Sequence, residues 1–443
     1  MDYIPSSIEE RKQMLSFIGA KDSNDLFKDI PEDVRFKRDL KILGGVSEIE
    51  VMKHLSNLAG KNLSLDRTIS FLGAGMYNHY VPAAVEEIVG RSEFYTSYTP
   101  YQAEASQGVL QALYEYQTMI CDLTGMEVAN ASMYDGSSAL AEACIMARNI
   151  TGKKSIIVPD VLHPEYREVL RTYARMCGFN LSMVKCEGGS LSSTDFKDNI
   201  TDDTAAVIVQ NPNFFGIIED YKKIKDATAG KNILTIACII EATSLGLLRP
   251  PQEAEIVVGE GQSFGNHISF GGPHFGFMAT KYEHVRKMPG RLVGATFDSD
   301  GRRGFVLTLQ AREQHIRREK AASNICTSEA LNAISAAVYL SLLGPKGLRK
   351  VAENSHRNAC YLAKKLAAIK GFHRVHESAF YNEFAMKTPH DLGKKLVGKG
   401  IVGGLDLGTY YPDLKYNQLF CTTEVHSKED LDYLVEIAKE AAK

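Results

Sequence analysis

Short apolar runs alternate with amphipathic stretches along residues 126–280, a pattern that predicts strands interleaved with helices. The runs are rich in valine and isoleucine and are continuous, which is typical of strands buried on both faces of a parallel sheet. Helices are expected between them, for example over residues 139–149 and 164–177. Strands are predicted at residues 127–133, 155–158, 181–184, 205–209, 234–240, 255–258 and 275–279. This order of elements predicts an α/β fold with a mainly parallel sheet of seven strands.

The chain on either side of this region has a different pattern. Helical periodicity over residues 46–58, and a capping box formed by Ser7 and Glu10, predict a helical N-terminal arm rather than a disordered tail. The C-terminal pattern predicts a helix-rich stretch over 307–343, a break at Gly344 and Pro345, a helix over 348–370, strands at 383–386 and 419–422, and a last helix over 429–441. We therefore expect an arm (residues 1–66), a large α/β domain (67–305) and a small C-terminal α/β domain (306–443).

Charge, apolar content and cysteine usage narrow the class of protein. With 51 Lys and Arg against 54 Asp and Glu, the net charge of -3 gives no general drive toward nucleic acid or an anionic membrane. No apolar run is long enough for a membrane span, and residues 1–5 show no start of a secretory signal. The eight cysteines are scattered without a Cys-x-x-Cys pair, so we expect a protein of the reducing cytoplasm without a zinc site.

A turn of small residues follows the first predicted strand. Gly136, Ser137 and Ser138 stand where that strand gives way to a helix. Free backbone N–H groups and hydroxyls at a helix N-terminus suit a phosphate or a carboxylate. The simpler interpretation is that Ser137 or Ser138 caps the helix.

Two polar residues follow other predicted strands at their carboxyl ends, where open α/β sheets bind ligands. His163 comes after the strand at 155–158, and Glu241 directly follows the strand at 234–240. A single histidine at such a place is more often structural, and Glu241 either faces a cationic partner or starts a helix. A glycine-rich stretch at residues 259–265, with Gly-Gly-Pro at 271–273, predicts a close approach of the backbone to a ligand or a neighbouring chain.

The segment before the first strand is unusually aromatic and polar. Tyr95, Tyr98 and Tyr101 fall within seven residues, and Gln102 follows them. Rigid rings with hydroxyl groups are favoured at interfaces and in small-molecule pockets. The segment is therefore a candidate for either, with a tyrosine-rich packed loop as the structural alternative.

A basic run lies on a predicted helix at residues 310–320. Its residues Arg312, Arg317 and Arg318 are candidates to grip a carboxylate or an acidic partner. The alternative is a solvated helix face with internal pairs of glutamate and arginine.

Several longer motifs, taken together and in this order, resemble glycine decarboxylase, the P-protein of the glycine cleavage system. They lie at residues 71–82, 98–108, 130–136, 210–214 and 309–314, so the resemblance covers nearly the whole chain. Some members of this family are one long chain and others are split into alpha and beta subunits. The length of 443 residues matches one half of the full enzyme, and the chain resembles the alpha subunit. The resemblance implies the aspartate-aminotransferase fold, which is fold type I of the pyridoxal-phosphate enzymes.

The resemblance also implies roles for the residues at the strand ends. On the family template, the small-residue turn binds the phosphate of the cofactor, the histidine stacks on its ring, and the acid pairs with its pyridine nitrogen. In this sequence, those positions hold Gly136, Ser137, Ser138, His163 and Glu241.

The position of the Schiff-base lysine departs from the active pattern of the family. Active members carry this lysine at a fixed distance before a Gly-Gly-Pro, and counting back from residues 271–273 places Gln262 there. A carboxamide can neither form the aldimine nor move protons as a primary amine does. We therefore expect a relic pocket and no catalytic residue in this chain.

The activity that the resemblance implies needs a second chain. The beta subunit would hold pyridoxal phosphate and decarboxylate glycine, and the aminomethyl group would pass to the lipoyl arm of the H-protein. Two alpha and two beta chains would form the enzyme, with Tyr95, Tyr98, Tyr101 and Gln102 shaping the beta active site or its access. The alternatives are a pyridoxal-phosphate lyase or decarboxylase active by itself, and a non-catalytic protein that retains the fold.

Overall fold

The computed structural model describes residues 6–38, 40–42, 44–390 and 392–442. The chain divides into two compact units, Met1–Leu63 and Ser64–Lys443. Residues 1–5, on which the expectation of no secretory signal rests, lie outside the described ones.

The secondary-structure elements are numbered in chain order. The α-helices are α1 Ile8–Phe17, α2 Glu48–Ala59, α3 Ala83–Val89, α4 Ser92–Tyr95, α5 Gln107–Thr124, α6 Gly136–Thr151, α7 Pro164–Cys177, α8 Ser193–Lys197, α9 Tyr221–Thr228, α10 Gln314–Arg317, α11 Ala330–Ala367, α12 Leu392–Val397 and α13 Lys428–Ala441. The strands are β1 Ile69–Ser70, β2 Val128–Ala129, β3 Ser155–Pro159, β4 Asn180–Val184, β5 Thr204–Gln210, β6 Leu234–Ile239, β7 Ile256–Glu260, β8 Gly276–Thr280, β9 Leu292–Phe297, β10 Arg303–Thr308, β11 His373–Arg374, β12 Glu383–Lys387, β13 Ile401–Val402, β14 Leu405–Asp406 and β15 Asn417–Cys421. Short 3-10 helices lie at Ser23–Phe27, Ala242–Gly246, Ser269–Gly271, Tyr282–Lys287, Gln310–Arg312, Arg318–Lys320, Leu407–Thr409 and Pro412–Leu414. None of the helices in the described ranges is long and apolar enough to cross a membrane.

The first unit contains α1, α2 and a short 3-10 helix. The predicted capping box of Ser7 and Glu10 begins α1, and a second one begins α2. No residue in the described part of this unit is buried, and large apolar side chains such as Phe17 and Ile49 are exposed. Local capping therefore accounts for the helix starts, and the described residues of this unit form no buried apolar core.

A seven-stranded sheet forms the centre of the second unit, in the order β2-β8-β7-β6-β5-β3-β4. The strands from β3 to β7 are parallel to one another, and β8 is antiparallel to both of its neighbours. Each of the seven strands predicted in this region is present, and the predicted mainly parallel α/β architecture is confirmed. The carboxyl ends of β3, β5, β6 and β7 meet at one edge of the sheet.

Alternate residues of these strands enter two separate apolar layers. In β5, Val207 and Val209 belong to a layer that includes residues of α5 and α11, whereas Ala206 and Ile208 belong to a layer that includes residues of α6. Since both faces of the strand are apolar, the sequence of each strand is a continuous hydrophobic run.

The C-terminal part contains a four-stranded antiparallel sheet in the order β11-β12-β15-β14. Its central strands share an apolar cluster with α11, α12 and α13. The strands predicted at 383–386 and 419–422 are β12 and β15, with shifted ends. Within α11, Gly344 has a φ of 57° and interrupts the helix where Gly344 and Pro345 predict a break.

The helix predicted over residues 310–320 is wrong, and so is the helical character predicted from residue 307. Leu307 lies in β10, and the stretch that follows contains the 3-10 helices Gln310–Arg312 and Arg318–Lys320 with the short α10 between them instead of one continuous helix. Leu309 and Arg318 have φ values of 52° and 53°, which a continuous right-handed helix cannot contain. The basic residues of this stretch therefore do not share one helix face.

Candidate functional site

The polar residues predicted at the strand ends come together at the carboxyl edge of the seven-stranded sheet. The chain leaves β3, β6 and β7 at this edge, and α6 begins beside them. The histidine, the acid and the glutamine that follow these strands are all buried. The residues brought to this edge are Gly136, Ser137, Ser138, His163, Glu241 and Gln262.

The donors at the start of α6 are satisfied by carboxyl groups of the chain itself. The amide of Gly136 donates to Oε2 of Glu260 at 3.0 Å. The hydroxyl of Ser137 and the amide of Ser138 both donate to Oδ1 of Asp135, at 2.6 and 2.7 Å. The N-cap is Asp135, which corrects the interpretation that a serine caps this helix. These three donors are therefore not available to a phosphate.

Glu241 has an internal partner, the imidazole of His79. Nε2 of His79 lies 3.2 Å from Oε2 of Glu241, and Nδ1 lies 2.6 Å from Oε2 of Glu424. Burial lowers the pKa of His79, but the two carboxylates attract its proton more strongly, and the net result raises the pKa to about 10. His79 is therefore an imidazolium at neutral pH. Glu241 also accepts hydrogen bonds from the amide and the hydroxyl of Thr243, so it faces a cation and starts a short helix.

The carboxamide of Gln262 binds the backbone of Tyr77 in both directions. Its Nε2 donates to the carbonyl of Tyr77 at 3.1 Å and to that of Asn266 at 2.7 Å, and its Oε1 accepts from the amide of Tyr77 at 3.0 Å. Gln262 is 1% exposed, so these bonds replace water entirely. Lys281, the nearest lysine along the sequence, follows β8 at the opposite edge of the sheet and pairs with Glu255.

His163 contacts the same part of the chain through Ala74. Its Nδ1 accepts the amide of Glu165 at 3.2 Å, so Nε2 carries the proton and donates to the carbonyl of Ala74 at 2.8 Å. Gly75 lies against the ring, because a Cβ added there would come within 3.1 Å of Nε2. Burial lowers the pKa of His163 and keeps its ring neutral. The ring predicted to stack on a cofactor thus contacts Ala74 and Gly75.

A third carboxyl group, that of Glu383 in β12, binds these residues from the C-terminal sheet. It accepts a hydrogen bond from the amide of Ala74 at 2.7 Å and one from the hydroxyl of Tyr77 at 2.8 Å. Burial raises the pKa of Glu383 to about 7, although the two hydrogen bonds oppose this shift. The chain near residue 75 is therefore bonded to both sheets.

We expect Glu383→Gln to remove a pH-dependent loss of stability. The folded-state pKa of about 7 lies above the ordinary 4.5, so the contribution of this carboxyl group is fully present below the lower value and is lost as the pH rises through the higher one. The variant should gain about 2–3 kcal/mol on the wild type between pH ~5 and pH ~8. Urea unfolding of both proteins at the two pH values measures this gain. A constant difference between the proteins would contradict the prediction.

The aromatic segment lies apart from the strand-end group. Tyr95, Tyr98, Tyr101 and Gln102 are all exposed in this chain. Only Tyr101 among them has a described side-chain hydrogen bond: its hydroxyl accepts from Nη2 of Arg291 at 2.8 Å, and its ring lies 4.7 Å from that guanidinium. The packed-loop alternative therefore applies to Tyr101 in part, whereas the other three side chains face outward.

The basic stretch after β10 uses its first arginine internally. Arg312 donates to the carbonyl oxygens of Leu309, Met288 and Gly290, at 3.1 Å for the first and 2.9 Å for the last. Arg317 and Arg318 are exposed. Arg312 thus forms hydrogen bonds with backbone carbonyl groups of its own chain instead of binding a carboxylate.

These contacts test whether pyridoxal phosphate fits this chain. The predicted lysine position holds a fully bonded carboxamide, the predicted phosphate loop donates to the chain's own carboxyl groups, and the acid predicted to face the pyridine nitrogen is paired with His79. Ala74, Tyr77 and His79 are bonded to His163, Gln262 and Glu241, which are the side chains predicted to face the cofactor. The residues present do not fit the cofactor. Nor do the described residues contain a group of three or more His, Cys, Asp or Glu side chains that could hold a metal ion.

Several residues of this site were missed by sequence reasoning. The missed residues are Tyr77, His79, Asp135, Glu260, Glu383 and Glu424. Their partners are up to 345 positions away, and no local pattern reports such a pairing. The usable signal is the motif at residues 71–82, which places a histidine between two tyrosines and before a proline.

The fold defines the class of protein to which the chain belongs. The structure of glutamate decarboxylase from Lactobacillus brevis superposes with a TM-score of 0.67 at 13% identity, covering 92% of this chain and 95% of that chain. At this identity the likeness concerns the fold alone. The chain has fold type I of the pyridoxal-phosphate enzymes, as predicted.

The sequence narrows this class to one family. The model for the glycine cleavage system P-protein matches residues 1–438. The probable glycine dehydrogenase (decarboxylating) subunit 1 of Desulforamulus reducens is 51% identical over 439 residues, which are 98% of each chain. The crystal structure of glycine decarboxylase (P-protein), in inhibitor-bound form, superposes with a TM-score of 0.89 at 44% identity over 100% of both chains. This chain belongs to the glycine cleavage system P-protein family, and its similarity to proteins named subunit 1 confirms the resemblance seen in its motifs.

Proposed function

We propose that this chain is the cofactor-free alpha subunit of a two-chain glycine dehydrogenase (decarboxylating). Its beta partner holds pyridoxal phosphate and decarboxylates glycine, and the aminomethyl group passes to the lipoyl arm of the H-protein. The enzyme is cytoplasmic, contains two alpha and two beta chains, and binds neither nucleic acid nor membrane. The observation that carries the proposal is Gln262, a buried carboxamide bonded to the chain's own backbone at the predicted lysine position.

In this proposal, the alpha chain contributes a contact surface for its partner and no catalytic residue. Tyr95, Tyr98, Tyr101 and Gln102 are exposed and lie together along the sequence, so they suit contact with a partner chain near its active site. The N-terminal unit supports the need for a partner, because none of its described residues (6–38, 40–42 and 44–63) is buried and many of its apolar side chains are exposed.

Reconstitution with the beta chain of the same organism tests the assignment. The two chains should co-purify, and the pair, but neither chain alone, should exchange carbon dioxide with the carboxyl group of glycine in the presence of H-protein. Borohydride reduction and peptide mapping should place the pyridoxyl group on a beta peptide. A stoichiometric pyridoxyl group on a wild-type alpha peptide would instead favour an enzyme active by itself. Failure to bind any beta chain would favour a non-catalytic protein.

We expect the double variant Tyr98→Phe, Tyr101→Phe to slow the exchange reaction of the assembled pair by about tenfold or more, through loss of contacts worth about 1.4 kcal/mol. Tyr282→Phe is the matched control, because Tyr282 is equally exposed but lies outside the aromatic segment. Thermal unfolding of the variants separates a local effect from misfolding, since Tyr101 also binds Arg291. Turnover equal to that of the wild type would remove these tyrosines from the partner's active site.

A further inference from the structure

Six consecutive residues of the chain contact every ring-facing position of the predicted pocket. The carbonyl of Ala74 accepts from His163, the backbone of Tyr77 is bonded to Gln262, and His79 pairs with Glu241. None of the three pocket positions lies within residues 74–79, so their convergence on one short stretch is a property of the folded chain that the sequence alone does not give. We call residues 74–79 the occupying segment.

We propose that the occupying segment is a built-in ligand of the relic pocket, and that it excludes pyridoxal phosphate independently of the missing lysine. The imidazolium of His79 takes the place that the protonated pyridine nitrogen has opposite the acid in a cofactor-binding chain. Both groups are aromatic rings that donate an N–H bond to a carboxylate, so the chemistry that recognises one recognises the other. The pocket therefore fails to bind pyridoxal phosphate for two reasons: the lysine amine is absent, and the occupying segment fills the site.

The phosphate end of the pocket is closed in a matching way. Gly136 and Ser138 donate their amides to Glu260 and Asp135, so a phosphate would have to displace two carboxyl groups from the start of α6. The carboxyl of Glu260 also accepts the amide of Gln262 at 3.1 Å, which couples the phosphate end to the lysine position. Each of the six residues of the predicted cofactor site thus has at least one internal hydrogen-bond partner.

The occupying segment is also fixed from the C-terminal sheet, so it cannot leave the pocket as a free loop. Glu383 accepts the amide of Ala74 and the hydroxyl of Tyr77. Just beyond the segment, the amide of Tyr80 donates to Glu424 at 2.8 Å. Withdrawal of the segment would break these bonds together, because they all hold the same short stretch of backbone.

The first test restores only the amine. Gln262→Lys is made in the full alpha chain, assembled with the beta chain, given one equivalent of pyridoxal phosphate per alpha–beta pair, reduced with borohydride and mapped by mass spectrometry. We expect the pyridoxyl label at the introduced lysine to be at least about tenfold below that of the beta lysine, a difference of about 1.4 kcal/mol in affinity. Equal labelling of the two lysines would overturn the proposal, because the amine alone would then have been limiting.

The second test uses the wild-type chain and does not depend on the folding of a variant. Hydrogen exchange at the amides of Ala74, Tyr77 and Tyr80 is followed with and without excess pyridoxal phosphate. We expect slow exchange that the cofactor leaves unchanged, because the amides of Ala74 and Tyr77 are bonded within the occupied pocket and that of Tyr80 is bonded to Glu424 just beyond it. Faster exchange on addition of the cofactor would show that the segment yields to it, and rapid exchange without cofactor would show that the segment does not fill the pocket. Either result overturns the proposal while leaving the reconstitution test of the two-chain enzyme unaffected.

Discussion

His79→Ala should lower the free energy of unfolding of this chain by about 3–5 kcal/mol. The substitution removes the only cation that lies between Glu241 and Glu424 in the described hydrogen-bond network, and it leaves two carboxylates in a site where His79 and Glu241 have 2% exposed side chains. A buried charge without its partner loses solvation and gains nothing in return. Urea unfolding of the two proteins at neutral pH measures the difference.

The surface pair of His267 and Glu86 provides a matched control. Their nitrogen and oxygen lie 2.8 Å apart, but the side chains are 54% and 68% exposed. His267→Ala should therefore change the free energy of unfolding by about 1 kcal/mol at most. Adding Glu241→Gln to His79→Ala should recover part of the loss, since it removes one unpaired charge. Equal effects of His79→Ala and His267→Ala would mean that His79 is not an imidazolium between two carboxylates.

Arg291→Met is expected to cost about 3–5 kcal/mol as well, because it removes the nearest cation from the buried Glu313 and leaves it only the longer contact to His315, at 3.6 Å. Nη1 of Arg291 lies 3.0 Å from Oε2 of Glu313, and both side chains are under 5% exposed. The same guanidinium donates to the hydroxyl of Tyr101 and to the carbonyl of Cys326. The variant should therefore also free the aromatic segment, which would appear as faster proteolysis near Tyr101.

Arg303→Met is the control for this second variant. Arg303 is exposed and lies over the rings of Tyr114 and Phe305, at 5.8 and 5.2 Å, without a described ion pair. Loss of such an exposed cation–π contact should cost about 0.5–1 kcal/mol. If Arg291→Met cost no more than Arg303→Met, the buried ion pair with Glu313 would contribute no more than an exposed cation–π contact.

The sheet could be predicted because the hydrophobic pattern of each strand follows directly from the burial of that strand. β5 and β6 are buried along their whole length, and a strand with two apolar neighbours can be recognised from β-branched runs alone. β2 was predicted over residues 127–133 but spans two residues, with one further bridge at Met133. Its limits depend on how β8 pairs beside it, which the strand's own residues do not specify.

In the segment after β10, tertiary contacts override the helix propensity of the local sequence. Glutamate, glutamine and arginine favour helices, so residues 310–320 suggest one. Arg312 instead reaches back to carbonyls near residues 288–290, and Leu309 takes a left-handed conformation that permits this. The energy of these distant hydrogen bonds is absent from the helical pattern of the segment.

Some residues of the candidate site could likewise be predicted from the sequence, and others could not. Its strand-end members were found from sequence because ligand positions in α/β sheets follow the strands. His79 and Glu383 were not found, because their importance arises from carboxyl groups and backbone that lie 162 to 345 positions away for His79, and over 300 for Glu383. The sequence shows that position 262 holds a glutamine in place of the lysine amine. Only the folded chain shows that residues 74–79 contact the predicted cofactor pocket.

The described part of residues 6–63 has no buried residue, and side chains such as Phe17, Ile49 and Met52 are exposed. Newly made copies that outnumber their partner would display this surface to chaperones and proteases, which select polypeptides with uncovered apolar segments. The cellular level of this subunit should then follow the supply of its partner, whatever the rate of its own synthesis. Exposure of the N-terminal arm would thus lead to degradation of copies that have no partner, and the two subunits would be kept in equal amounts.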